Sequence, residues 1–73
     1  MEGTRQIAQR MVNAENEFRQ IIMERGFTRD EADKAMRTML KLKVAKMDAV
    51  NGRISVVHGA YLDHQAIRHA VNY

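Results

Sequence analysis

The chain contains no cysteine, no proline and no tryptophan, and aromatic residues make up only 5% of it. Without cysteine there is no disulfide, no thiolate catalysis and no Cys-ligated zinc or iron–sulfur site. Without proline, no helix or strand is interrupted by a residue that lacks a backbone donor. No apolar run approaches the roughly 20 residues needed to span a bilayer, so no membrane partner is expected. The opening Met-Glu-Gly-Thr-Arg-Gln has no apolar stretch of the secretory kind, which predicts a cytoplasmic protein. The glycines Gly3, Gly26, Gly52 and Gly59 stand alone, so no glycine-rich loop cradles phosphate. Ser55 is the only serine and has no nucleophile elbow around it. Asp30, Glu31 and Asp33 crowd a helix start, where capping explains them. So short a chain also leaves little room for an enclosed pocket of about 300 Å3. Neither catalysis nor a cofactor is expected.

What is present is 73 residues, of which 45% are hydrophobic and 29% charged. That is the composition of one small globular domain over residues 1–73. Chains of this size bury only about 60% of the surface they expose when unfolded, so their cores are thin. In residues 4–25, Ile7, Met11, Ala14, Phe18, Ile21 and Ile22 recur at the helical period. Thr4 is placed to cap this helix, and Gly26 suits a left-handed end. The opposite face carries Arg10, Glu17 and Glu24. A second helix over 29–43 opens on a Thr28/Glu31 capping box, with Phe27 placed to staple near Ala32. Its inner face is Ala32, Ala35, Met36, Met39 and Leu40. The two form an antiparallel αα-hairpin.

Beyond Leu42 the period changes. Ala45, Met47 and Ala49 alternate with Lys46 and Asp48; Asn51-Gly52 and the β-branched Ile54, Val56 and Val57 follow. A hairpin over 44–58 on a two-residue turn sets Val50 against Arg53, Ala49 against Ile54 and Met47 against Val56. Ala45, Met47, Ala49, Ile54 and Val56 then share one face. The competing reading runs the second helix on to Val50 with Asn51-Gly52 as its cap, an all-α three-helix chain. Asp63 is a good N-cap for a last helix over 63–72 that carries Ala66, Ile67, Ala70 and Val71. The expected fold is α+β, in the order α-α-β-β-α.

The net charge of +3 is concentrated. Residues 1–27 hold four basic and four acidic side chains, residues 28–53 seven and four, and Arg68 balances Asp63 in the remainder. Lys34, Arg37 and Lys41, at i, i+3 and i+7, form one stripe of the second helix. Lys46 and Arg53 fall on the polar face of the hairpin. Such an excess steers an anionic partner, although acids early and bases late in a helix also suit its macrodipole. A basic helix followed by a basic hairpin resembles the end of a winged helix-turn-helix. The departure is a single long first helix where that family has two shorter ones. No aromatic lies within the basic stretch, so stacking on single-stranded bases is unsupported.

His64 and His69 are five apart. That is about 140° around a helix, the wrong spacing for a helical metal pair. His58 stands at the end of the hairpin, and no metal is expected. Six methionines supply adaptable apolar surface. Ile22, Met23, Leu42, Val44 and Val57 are more than so small a monomer can bury, which predicts a homodimer or a partner surface.

The run from Leu40 to Asp63, and most specifically His58-Gly59-Ala60-Tyr61-Leu62-Asp63, resembles short uncharacterised proteins of phages and prophages. The likeness covers roughly residues 28–71 and brings no catalytic residues with it. It implies a phage setting. Small phage proteins are commonly inhibitors of host machinery, anti-CRISPR proteins among them, or small transcription regulators. The same six residues also have a structural reading: Gly59 allows a sharp exit from the strand, and Tyr61 and Leu62 staple the last helix. The expected function is stoichiometric occlusion of a host protein or nucleoprotein complex, with contacts from Lys34, Arg37, Lys41, Lys46 and Arg53 and Tyr61 as an anchor. The alternative is a DNA-binding transcriptional regulator that places the same cations on nucleic acid phosphates.

Overall fold

The computed structural model describes residues 4–57 and 62–73. The elements run α1 (Thr4–Glu24), α2 (Arg29–Lys41), β1 (Ala45–Asp48), β2 (Arg53–Val56) and α3 (His64–Val71). The fold is α+β in the order α-α-β-β-α, and the antiparallel pairing of β1 with β2 excludes the all-α alternative.

Local chemistry sets most of the boundaries. Helix α1 ends as Gly26 takes φ +98 and its N–H reaches the Met23 carbonyl at 3.0 Å, the left-handed cap read from sequence. Helix α2 opens on the full capping box. Thr28 accepts from the Glu31 N–H at 3.2 Å, and Glu31 accepts from the Thr28 N–H at 2.9 Å. Asp63 caps α3 by accepting from the Ala66 N–H at 2.8 Å. Thr4 lies within the first turn of α1 and not ahead of it.

The end of α2 departs from expectation. The helix stops at Lys41 rather than at residue 43 because Lys43 adopts φ 61. The Val44 N–H then reaches the Met39 carbonyl at 3.0 Å and the Lys43 N–H the Leu40 carbonyl at 3.2 Å. These two bonds make a Schellman motif, closed here by lysine in the place glycine usually takes.

The hairpin register also differs. Ala45 pairs with Val56, Lys46 with Ser55, Met47 with Ile54 and Asp48 with Arg53, so a four-residue loop replaces the two-residue turn. A type I′ turn needs positive φ at both central residues, and here only Gly52 has it. Asp48 makes the longer loop. One of its carboxylate oxygens accepts from the Val50 and Asn51 N–H groups at 3.1 Å each, and the other from the Asn51 amide at 2.6 Å. The register moves by two residues, so side-chain parity is kept and the expected face survives. Ala45 is buried and Met47, Ile54 and Val56 are half-buried, while Lys46, Asp48, Arg53 and Ser55 face out.

The core joins Phe18 and Ile22 of α1, Ala32, Ala35, Met36 and Met39 of α2, Ala45 of β1, and Ile67 and Ala70 of α3. Ile22, Met36 and Ile67 are the largest side chains wholly buried. Full burial of such a side chain stabilises by about 1.5–3 kcal/mol. Phe27 is buried in the same core cluster as Ala32, and its ring also meets His64 and Arg68 of α3. The predicted stripe of α1 is covered only in part: Ala14, Phe18 and Ile22 are buried, whereas Ile7, Met11 and Ile21 are exposed. Leu42 and Val44 stay exposed, as the surplus of apolar residues implied. His58, Gly59, Ala60 and Tyr61 lie outside the described residues, so the strand exit at Gly59 does too.

Candidate functional site

The basic stripe lies where helical periodicity puts it. Helix α2 buries Ala32, Ala35, Met36 and Met39, and Lys34, Arg37 and Lys41 leave the helix on the opposite side. Lys34 to Lys41 spans about 10 Å of helix at about 1.5 Å per residue. The three cations differ in how they are held. Arg37 donates through Nε to Asp33 at 2.8 Å, yet its side chain remains 75% exposed. Asp33 also accepts from Arg19 of α1 at 3.0 Å, and Arg19 reaches Asn16 at 2.6 Å. Asp33 therefore ties α1 to α2 and orients Arg37. Lys34 and Lys41 have no ion-pair partner among the described residues. The Asp33–Arg37 pair is an ordinary i, i+4 spacing and was legible in sequence. Arg19 joins only through the packing of the two helices.

Lys46 and Arg53 form a separate surface. They project from the outer face of the hairpin beside Asp48 and Ser55, away from the core that lies between the sheet and the helices. Asp48 stands directly across from Arg53 in register, but its carboxylate is turned into the loop, so Arg53 has no ion-pair partner among the described residues. The Asn51 side-chain amide and then its backbone N–H hold the Asp48 carboxyl below the usual carboxylate range. The five cations thus project from two elements, three from α2 and two from the outer face of the hairpin. Tyr61, the sixth residue proposed from sequence, lies outside the described residues.

A feature not legible in the sequence is an apolar groove of about 550 Å3 between the end of α2, the hairpin and α3. Met39, Leu42, Val44, Val56, Ala66 and Ala70 supply much of its lining. It is open and largely apolar, and Thr38, Asp63, Gln65 and His69 are the polar residues of its lining. Asp63, at its edge, is engaged in capping α3. Among the described residues, no three His, Asp or Glu side chains converge to hold a metal ion, and no helix is long and apolar enough to cross a membrane. Both histidines of α3 are exposed: His64 stacks on Phe27 at 4.7 Å, and His69 meets the ring of Tyr73 edge-on at 6.5 Å.

Comparison with protein-family models, with curated proteins and with solved structures finds no match to this chain.

Proposed function

We propose that this protein works by binding: it docks on a protein or nucleoprotein complex of a bacterial host and occludes it stoichiometrically. This is the anti-defence, anti-CRISPR-like role that the resemblance to small phage proteins implies. The observation that carries the reading is the exposed face of α2. It holds Lys34, Arg37 and Lys41 on a rigid helix, with Arg37 already oriented by Asp33 and Arg19. A cation held in place before contact loses less side-chain entropy on binding than a free one. Arginine is also over-represented among interface hot spots.

The composition of that face favours a protein surface over a nucleic acid backbone. Asp30 lies one turn before Lys34 on the same side, and Asp33 occupies one edge of Arg37. Mixed signs suit an interface whose partner presents both, whereas a phosphate backbone is repelled by each carboxylate.

The test is capture from bacterial lysate on immobilised protein, with and without nuclease, followed by mass spectrometry. The expected result is one stoichiometric protein that survives nuclease and is lost from the folded Lys34→Glu/Arg37→Glu/Lys41→Glu variant. Capture that vanishes with nuclease, with affinity falling roughly a thousand-fold or more between about 50 and about 200 mM salt, would replace this reading with the DNA-binding regulator. Full capture by the triple variant would leave the stripe as a solvated face.

A further inference from the structure

The apolar groove between the end of α2, the hairpin and α3 borders the basic stripe. Thr38 lines it, with Lys34 four residues before and Lys41 three residues after on the same helix. Both lysines therefore lie within about 60° of Thr38 around the α2 axis, and on the same side of it. Lys43 stands in the chain between Leu42 and Val44, which both line the groove. All three lysines are exposed and have no ion-pair partner among the described residues. The one carboxylate among the described lining residues, Asp63, accepts from the Ala66 N–H. The groove is thus an apolar trough with a cationic rim. Met39 and Ala70 are buried in it, Val56 and Ala66 are half-buried, and Leu42 and Val44 are 42% and 39% exposed. Its backbone donors at the end of α2 are already used: the Leu42, Lys43 and Val44 N–H groups reach the Thr38, Leu40 and Met39 carbonyls, and the Val44 carbonyl accepts from Val57.

We infer that this groove receives an acidic amphipathic helix of the protein partner. The inference rests on the protein-binding reading above and names the chemistry of the segment that is bound. Charge complementarity selects the sign: carboxylates flanking the apolar side chains of the segment meet Lys34, Lys41 and Lys43. The used backbone groups select the conformation. A strand laid beside residues 42–44 would find no free donor there, whereas a helix satisfies its own backbone and needs only side-chain packing. The size agrees. Lys34 and Lys41 are seven residues apart, about 10 Å along α2, which is the distance between anchors at i and i+7 of a helix lying beside it. Burial of the apolar anchors supplies affinity, and the lysine rim supplies orientation and discrimination between partners.

Two synthetic Ala-based helical peptides of about 15 residues test this. Both carry Leu at i, i+3 and i+7; one has Glu and the other Lys at the flanking positions. Each is titrated to about 1 mM while backbone amide shifts of the full chain are followed by NMR. The Glu peptide should move the Leu42, Val44 and Ala66 amides and bind about tenfold or more tighter than the Lys peptide. Leu42→Glu should abolish these shifts with the rest of the spectrum unchanged, because that side chain is exposed. Absence of shifts at the highest concentration, shifts elsewhere, or equal binding of the two peptides overturns the inference. Groove shifts with phosphatidylglycerol vesicles but not with the Glu peptide would assign the groove to a lipid surface and overturn it too. In the lysate capture, Leu42→Glu should lose the protein that the stripe variant loses. Capture kept by Leu42→Glu and lost only from the stripe variant overturns the groove and leaves the stripe reading standing. Peptide binding at the groove without any stoichiometric capture overturns the host-protein reading alone.

Discussion

The guanidinium of Arg68 lies 4.7 Å over the ring of Phe27, and that contact docks α3 onto the turn between α1 and α2. His64 stacks on the same ring at 4.7 Å, and Glu31 holds Arg68 at 2.9 Å. Helix α3 has 8 residues. That is too few for a helix to be stable without such support.

Phe27 is 5% exposed, and Phe27→Ala removes the platform that α3 rests on. The expected loss is about 3 kcal/mol or more, most of the margin of a small domain. Denaturant titration should show a largely unfolded variant. Arg68→Met keeps much of the packing but loses the cation and the ion pair, at a cost of about 1 kcal/mol. A wild-type midpoint in Phe27→Ala would mean that α3 is held by Ile67 and Ala70 alone.

The acid limb of stability should trace to two carboxylates. Glu31 is held below its ordinary value by the Thr28 backbone N–H first, with Arg68 adding to it. Asp48 is lowered by Asn51. A depressed folded pKa contributes stability above the unfolded value and loses it as pH falls through the folded one. Melting temperature should therefore be insensitive to these groups above about pH 5 and fall below about pH 4. Glu31→Gln keeps the capping box and Asp48→Asn keeps an acceptor for the loop N–H groups, but neither titrates. The double variant should show a shallower acid limb; an unchanged slope would place its origin elsewhere.

Lys43 has φ 61, in the left-handed region. That conformation costs an L-residue roughly 1–2 kcal/mol. Lys43→Gly should relieve it and raise the melting temperature by a few degrees, since about 1 kcal/mol shifts a domain of this size by roughly 4–8 °C. A lower melting temperature would show that the lysine side chain offsets the strain.

The hairpin tip is sensitive at two adjacent positions. Gly52 has φ +65, and a Cβ there would sit 3.3 Å from the Arg10 Cβ on α1. Gly52→Ala should destabilise by about 1–2 kcal/mol. It should also speed hydrogen exchange at the Val57 N–H, which donates to Val44. Asn51→Pro removes both Asn51 donors to Asp48 and should melt clearly lower. Wild-type melting of Asn51→Pro would mean that the loop does not hold the hairpin.

Signals confined to a few residues were legible in the sequence. The Thr28/Glu31 box, the Asp63 cap and the Gly26 exit each depend on contacts within one turn. The inner face of α2 and its basic stripe follow from periodicity alone. The hairpin was recognisable, but its register was not. Asn-Gly favours a two-residue turn, and the Asp48 carboxylate, by taking three donors, stabilises a longer one. The left-handed Lys43 carries no sequence signal, because glycine is what marks that position elsewhere.

Helix and strand order, the faces that turn inward and the places where helices begin follow from local hydrogen bonding and side-chain period, so the sequence determines them by itself. Contacts between residues far apart in the chain decide the rest. Arg19 meets Asp33 only because α1 packs on α2, and that contact turns one of three stripe cations into an oriented one. Ile7 and Met11 continue the buried stripe of α1 yet remain exposed, because α2 ends before it reaches them and burial depends on what lies opposite.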